Sequence, residues 1–229
     1  AFLPDGRLVG TAANDPEVLL IEIDPNDGAG TLIGVISELG GPGCQRMPDL
    51  TYDTSSGTLF GYSDFCDSNY EGLFTINTGS GEGTLVGLSG YFGGGNGLAA
   101  DPLNGTLYAT PFDVSSLVII DSGDGSGSDV PGSVGNVPFR VNALDFHPAN
   151  GVLYGSYNSS DDGNFLVTIS LADGVTTEVG PTIDGLDALV FQRTSPRPVP
   201  VMGGPAMLIL VLMMLAVPAF RAFRNQARA

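Results

Sequence analysis

The chain has 229 residues and is strongly acidic, with 25 Asp and Glu residues against eight Arg, and its formal net charge is −17. All of the acids precede residue 193, where only Arg7, Arg46 and Arg140 oppose them, so residues 1–192 carry a formal charge of −22. A surface of that sign repels nucleic acid phosphates and anionic lipid headgroups, which excludes both as favoured partners. The length of this part suffices for one β-rich domain with its own core.

One sequence unit recurs four times in residues 1–192. Its marker is a turn and strand that read G-R-L-V-G, G-T-L-F-G, G-T-L-Y-A and G-V-L-Y-G in the successive copies. The glycines that open these strings are 51, 48 and 46 residues apart: Gly6, Gly57, Gly105 and Gly151. A period of this length predicts a repeat architecture in which each unit stacks on its neighbours.

Each unit predicts four short strands, A to D, joined by tight turns rich in Asp, Asn and Gly. Strand A resembles the G-L-A-x-D-P strand that lies innermost in propellers, so the strands are ordered A to D from the axis outward. The predicted A strands are 48–53, 96–101, 141–147 and 186–192. The apolar runs that predict strand C are 18–23, 72–76, 117–120 and 165–169. The runs that predict strand D are 31–34, 84–87, 134–135 and 178–180.

Four-stranded sheets at this period predict an all-β fold, a β-propeller with four visible blades. A β-solenoid is the alternative, although its coils are usually shorter, and a sandwich would not explain the period. Residues 1–2 resemble the stump of an A strand, which leads us to expect a fragment of a larger propeller. If no further copies of the unit precede it, the expectation becomes a closed four-bladed ring.

Two Asp- and Gly-rich segments, 24–28 and 121–129, resemble calcium loops at first sight. Neither matches the D-x-[DN]-x-[DN]-G-x5-E pattern, and both fall at the C–D turn of a repeat. Asp and Asn bond to their own backbone in such turns, and Gly adopts positive φ. We therefore expect turns and no cofactor, with a structural calcium ion as the alternative.

Cys44 and Cys66 are the two cysteines of the chain, and they lie in loops expected on the same face of one blade. An exported chain meets an oxidising compartment, which favours a disulfide between them. A metal pair or a reactive thiol is the alternative reading, weakened because the one histidine, His147, lies far away in sequence.

No catalytic motif is visible. His147 occupies a turn position, which favours a solvent-facing residue over a general base, and no G-x-S-x-G string accompanies it. Glycine runs such as 93–95 lack the Lys-Ser/Thr that phosphate binding needs. A carboxylate pair for glycoside cleavage stays open, because 25 acids include some close pairs.

The C-terminal region carries a membrane signal. Residues 199–220 are 22 residues without a charge, and Arg221, Arg224 and Arg228 follow them. A helix of this length can cross a bilayer core of about 30 Å. We expect a Pro-rich linker and motif at 193–204, a transmembrane helix at 205–220 and a basic cytoplasmic tail at 221–229, with the propeller outside.

The order of linker, short motif, apolar span and arginines resembles the PEP-CTERM class of C-terminal sorting signals, and especially its IPTL-CTERM relative. Val199 and Pro200 fit the Ile/Val-Pro-Thr-Leu motif, whereas Val201 and Met202 are conservative departures. The resemblance implies recognition by a membrane sorting peptidase at these four residues and loss of the span on maturation. A plain single-pass anchor is the alternative, and a GPI signal is disfavoured because such tails end in apolar residues.

These observations lead to a functional expectation. The repeats resemble uncharacterised secreted bacterial propellers, a likeness that implies the fold and supplies no activity. We expect an exported protein of the cell envelope or cell surface that acts without catalysis and binds a glycan, a matrix component or a protein through its loops. The alternative is an extracellular polysaccharide hydrolase or lyase with carboxylates along the central channel.

Overall fold

The computed structural model describes residues 1–14, 17–36, 46–64, 72–91, 95–112, 114–159 and 163–192. Within these ranges the protein contains fifteen β-strands and no helix. The strands form four antiparallel sheets, and within each sheet consecutive strands are neighbours. Each sheet corresponds to one repeat of the sequence, so the predicted all-β propeller with four blades is confirmed.

The blades follow one another along the chain. Blade I contains β1 (Leu8–Asn14), β2 (Glu17–Ile23) and β3 (Gly30–Ile36). Blade II contains β4 (Arg46–Asp53), β5 (Thr58–Asp64), β6 (Gly72–Ile76) and β7 (Gly83–Leu88). Blade III contains β8 (Gly95–Ala100), β9 (Leu107–Pro111), β10 (Val118–Ile120) and β11 (Gly127–Asp129). Blade IV contains β12 (Val141–Phe146), β13 (Leu153–Ser159), β14 (Gly163–Ile169) and β15 (Thr176–Pro181).

The first strands of blades II, III and IV lie at the centre of the fold. Contacts between different sheets run mainly through β4, β8 and β12, which confirms strand A as the inner strand. The hydrophobic core is divided into three clusters, one at each of the junctions I/II, II/III and III/IV. Each blade therefore buries its faces against its neighbours, as a sheet with two apolar faces must.

The start of the chain forms part of an inner strand in blade I. The α-amino group of Ala1 donates to the Val9 carbonyl at 2.8 Å, and the Val9 N–H donates back to the Ala1 carbonyl at 2.9 Å. Phe2 and Leu8 form an isolated antiparallel bridge beside this pair. Residues 1–2 thus lie beside β1, at the inner edge of the three strands of the blade.

The outer strand of blade III differs from the prediction, which placed it at 134–135. The strand is Gly127–Asp129, and Val134 lies in a turn with 71% of its surface exposed. The reason is the tightness of the preceding turn. Asp121 accepts a backbone hydrogen bond from Gly125, and its own N–H donates to the Ser126 carbonyl, so pairing with Ile120 resumes at once at Gly127.

Residues 186–192 form no strand, contrary to the prediction. They nevertheless lie where the inner strand after blade IV was expected. The Phe191 N–H donates to the Asp145 carboxylate at 2.6 Å, just as the Ala100 N–H donates to the Thr51 hydroxyl at 2.9 Å between blades II and III. Asp145 and Thr51 are equivalent in the repeat. The segment thus takes the inner position beyond blade IV without a partner strand to form a ladder.

Candidate interaction site

A buried carboxylate joins the inner strands of three blades. Asp49 of β4 accepts N–H groups from Leu98 of β8 at 2.9 Å and Leu144 of β12 at 3.1 Å, both at Oδ2. Its Oδ1 accepts the N–H of Leu50 at 2.8 Å. Asp145 is used in the same way, because its two oxygens accept the N–H groups of Phe146 and Phe191. Asp49 therefore joins three inner strands, and Asp145 joins β12 to the segment that follows blade IV.

Burial sets the protonation of Asp49. Removal from water raises the pKa of this carboxyl to about 7, although the N–H groups of Leu98, Leu144 and Leu50 act in the opposite direction. The group thus changes charge near neutral pH at the point where three blades meet.

Three blade junctions share one contact at the periphery. We call the side of a blade that faces the next blade its front face and the opposite side its back face. Gly34 of β3 lies against the Ser80-Gly81 turn of blade II, and Gly87 of β7 lies against the equivalent turn of blade III. A Cβ on Gly34 would overlap the Ser80 carbonyl oxygen, and one on Gly87 would overlap that of Asp124. Only glycine permits this approach.

The third junction uses the same turn with a different partner. Ser133 of blade III lies against Gly174, which occupies the C–D turn of blade IV. The turn glycines of blades II, III and IV are all buried and all have positive φ, between 70° and 78°: Gly81, Gly125 and Gly174. The contact is therefore a repeated feature of how one blade packs on the next.

The fourth junction, from blade IV to blade I, is not made. Gly180 of β15 is the repeat equivalent of Gly34 and Gly87, yet a Cβ built on it meets nothing within 4 Å. Gly28 has the same turn conformation, with φ of 76°, but it is exposed and also has open space around it. The two halves of the repeated contact are both present, and neither has a partner within the described residues.

Apolar side chains on the back face of blade I mark the same gap. Leu8, Ile21 and Ile23 are only half-buried, and Leu32 is 59% exposed. The nine equivalents of the first three in the other blades are all buried: Leu59, Phe74, Ile76, Leu107, Val118, Ile120, Leu153, Val167 and Ile169. The back face of blade I therefore carries the same kind of apolar residues as the blade junctions, but these residues are less buried than their equivalents there.

The front face of blade IV shows the complementary pattern. Leu166 is half-buried, whereas its equivalents Leu20, Leu73 and Leu117 are fully buried. Val179 is 55% exposed. We define the open side as the back face of blade I together with the front face of blade IV. It is the largest departure of the described structure from its own repeat.

A cavity of about 850 Å³ lies on the open side, between blade I and the segment 183–190. Its apolar lining includes Leu8, Ile23 and Leu189, and both Arg46 and Arg140 also line it. Arg140 is the one non-glycine residue with positive φ (71°) in the described part of the chain. The cavity thus combines an apolar wall with two of the three arginines that precede residue 193.

The Asp- and Gly-rich segment 24–28 is a turn, as predicted, and so are residues 121–126 of the second segment, whose last three residues form β11. Asp24 accepts the N–H of Asn26 at 2.8 Å and Asp121 accepts that of Gly123 at 2.7 Å, the same bond that Asn77 makes to Gly79 in blade II. Across the described ranges, no group of three or more His, Cys, Asp or Glu side chains is placed to hold a metal ion.

His147 lies in a turn but is half-buried rather than solvent-facing. Its Nδ1 accepts the Ala149 N–H at 3.2 Å, and its ring contacts that of Phe191 edge-on at a centroid distance of 4.9 Å. Tyr154 completes this aromatic group at 5.2 Å from Phe191. The ring packs against the segment that follows blade IV, a contact that a single repeat could not reveal.

The remaining predicted site residues lie outside the described residues. These are the disulfide candidates Cys44 and Cys66, the sorting motif Val199, Pro200, Val201 and Met202, and the basic residues Arg221, Arg224 and Arg228. In the part of the chain that the structure describes, no helix has the length and apolar character needed to cross a membrane.

Comparison with known proteins supports the fold. No family model matches the chain, and no curated protein is similar to it in sequence. A chain of a nidogen/laminin complex aligns over 76% of this chain and 61% of its own, with 14% identity and a TM-score of 0.55. A gluconolactonase from Xanthomonas campestris aligns over 83% and 64%, with 18% identity and a TM-score of 0.53.

An auxiliary nutrient binding protein from Bacteroides ovatus aligns over 77% of this chain, with 15% identity and a TM-score of 0.53. The chain spans only 39% of the length of that protein. At identities this low the likeness supports a shared fold and not a shared activity. The three neighbours also differ in what they do: one belongs to a nidogen/laminin complex, one is a gluconolactonase and one is a nutrient binding protein. The comparisons place this chain among propeller-like structures and leave its function to the argument from its own site.

Proposed function

We propose that the protein is an exported binding protein, anchored in or sorted to the cell envelope, and that its propeller binds another protein through the open side. The observation that carries this proposal is the unmade junction between blades IV and I. Exposed contiguous apolar surface on a soluble domain marks interaction sites. Here Leu8, Ile21, Ile23 and Leu166 are half-buried, whereas their repeat equivalents are buried against another sheet. A protein surface is therefore the matching ligand.

The arrangement of the central acids favours binding over catalysis. A glycosidase needs one carboxyl that donates a proton and a second that acts as nucleophile or base. Asp49 and Asp145 instead accept backbone N–H groups from the strands around them. The hydrolase or lyase alternative therefore gains no support from the acids of the inner strands. Release of reducing ends from a polysaccharide by the purified chain would establish it.

Photo-crosslinking in native envelopes tests the binding function. Benzoylphenylalanine is placed at Val179 or Leu32, both on the open side, and in a control at Leu103, which is 85% exposed in the A–B turn of blade III. The expected result is a covalent protein adduct from positions 179 and 32 and none from 103. Absence of adducts from both open-side positions would overturn the proposal.

The envelope location rests on the C-terminal residues and has its own test. If residues 199–202 are a processing motif, the mature protein lacks the span and the arginines that follow it. Pro200→Ala should leave the precursor uncut, with little change in hydrophobicity, and replacement of Arg221, Arg224 and Arg228 by Ser should disturb orientation. Intact mass of the protein from native cells decides this, because a species that ends at Ala229 would indicate a plain anchor.

A further inference from the structure

The two faces of the open side are complementary to each other. Every internal junction pairs the front face of one blade with the back face of the next, as in the core clusters at I/II, II/III and III/IV. Blade IV offers an unpaired front face with Gly180, and blade I offers an unpaired back face with the Gly28 turn. One chain therefore carries both halves of a fourth junction.

The two halves do not meet within the described residues. Gly180 and Gly28 each have open space around them, and the cavity of about 850 Å³ separates blade I from residues 183–190. Complementary patches that cannot join within one molecule can join between molecules, and such head-to-tail contacts generate either closed rings or longer arrays.

We propose that the partner of the open side is a second copy of this chain, with blade IV of one copy packed on blade I of the other. In this junction Gly180 of one copy lies against the 24–28 turn of its partner, in the way that Gly34 lies against the Ser80-Gly81 turn. Ile21 and Ile23 then become buried like their equivalents in blades II to IV, and Leu32 packs against the second copy as Leu85 packs against the I/II core. This inference rests on the proposed protein-binding function of the open side.

Two substitutions block opposite halves of the junction without disturbing the single chain. Gly180→Arg places a side chain where a Cβ meets nothing within 4 Å, and its φ lies outside the left-handed region. Leu32→Arg changes a side chain that is already exposed. Leu103→Arg is the matched control on the other side of the fold. An unchanged circular dichroism spectrum and a cooperative thermal transition would show that all three variants fold.

Light scattering of the full chain in detergent micelles measures the assembly. We expect the wild type and Leu103→Arg to have at least twice the protein mass of one chain at tens of micromolar, and Gly180→Arg and Leu32→Arg to have the mass of one chain. An equimolar mixture of the two blocked variants should regain a one-to-one complex, because one intact face remains on each. A wild type of single-chain mass, or a mixture that stays monomeric, would overturn the proposal.

The crosslinks separate this inference from the function on which it rests. An adduct of Val179 with twice the mass of the chain supports a second copy. An adduct with a different protein overturns the second copy and keeps the binding function, and a crosslink to another part of the same polypeptide shows that the chain itself fills the junction. No adduct overturns both.

Discussion

The junction between blades I and II and the gap between blades IV and I contain the same elements in different states. In the first, Gly34 touches the Ser80-Gly81 turn, and Leu20 and Phe74 are buried. In the second, Gly180 and Gly28 have no neighbour within 4 Å among the described residues, and Leu166 and Ile21 are half-buried. The comparison teaches that a blade of this protein gains its burial from its neighbours rather than from its own four strands. The contribution of each junction to the free energy of unfolding can be measured by substituting equivalent residues in the two regions.

The largest expected difference concerns the paired glycines Gly34 and Gly180. Gly34→Val should prevent the I/II junction, because the new Cβ overlaps the backbone of Ser80 and a backbone cannot rotate away. We expect a loss of more than about 3 kcal/mol of unfolding free energy, or failure to fold. In the single chain, Gly180→Val should change stability by less than about 0.5 kcal/mol. Urea denaturation at protein concentrations low enough to keep the chain monomeric compares the two variants, and equal losses would show that the chain itself closes the gap.

Removal of the Asp49 side chain should have the next largest effect. Asp49→Ala leaves three buried N–H groups, those of Leu50, Leu98 and Leu144, without their acceptor. At about 1–3 kcal/mol for each unsatisfied group, we expect a loss of about 3–4 kcal/mol after partial relaxation. Asp187→Ala, on the exposed segment beside the gap, should cost less than about 1 kcal/mol. Denaturant midpoints that match for the two variants would contradict the joining role of Asp49.

The pH dependence of stability should report the same carboxyl. In the folded protein its pKa is raised to about 7 from the ordinary carboxyl value of 3.8. The folded state therefore holds the proton more tightly, so the stabilisation is complete below about pH 4 and is lost as pH rises through about 7. We expect a fall of about 4 kcal/mol over this range, at about 1.4 kcal/mol per unit of pKa difference. Asp49→Asn should flatten the profile, and an identical profile in that variant would assign the dependence to other groups.

The smallest difference is expected from one leucine position in two blades. Leu73 is fully buried at the II/III junction, whereas its equivalent Leu166 is half-buried on the open side. Leu73→Ala should cost about 3 kcal/mol, in the range for a core leucine, and Leu166→Ala about 1 kcal/mol. If a second copy covers blade IV, the cost at Leu166 should rise with protein concentration. Chemical denaturation at two protein concentrations gives both results.

The repeat, the strands and the turns could be predicted from the residues in sequence, because each depends on neighbours within a few positions. Strand C of each blade was placed within two residues, since β-rich apolar runs end at Asp, Asn or Gly turns whose side chains bond to their own backbone. The glycines of these turns follow from the same local chemistry. The prediction failed for the outer strand of blade III. Val134-Gly135 has the Val-Gly sequence with which the outer strands of other blades end, but the strand that pairs with Ile120 begins at Gly127.

The candidate site was decided by the tertiary structure. The sequence around Asp49 is that of an ordinary strand start and does not distinguish this residue. Its joining role is seen only in the folded chain, where the N–H groups of Leu98 and Leu144, 49 and 95 residues away, donate to its carboxylate. Likewise Gly180 and Gly87 end the same strand in their repeats, yet one has no neighbour and the other lies against a backbone. Local sequence determines which residues can form a junction. Whether a junction exists depends on which blade lies beside it, and that is a property of the assembled ring.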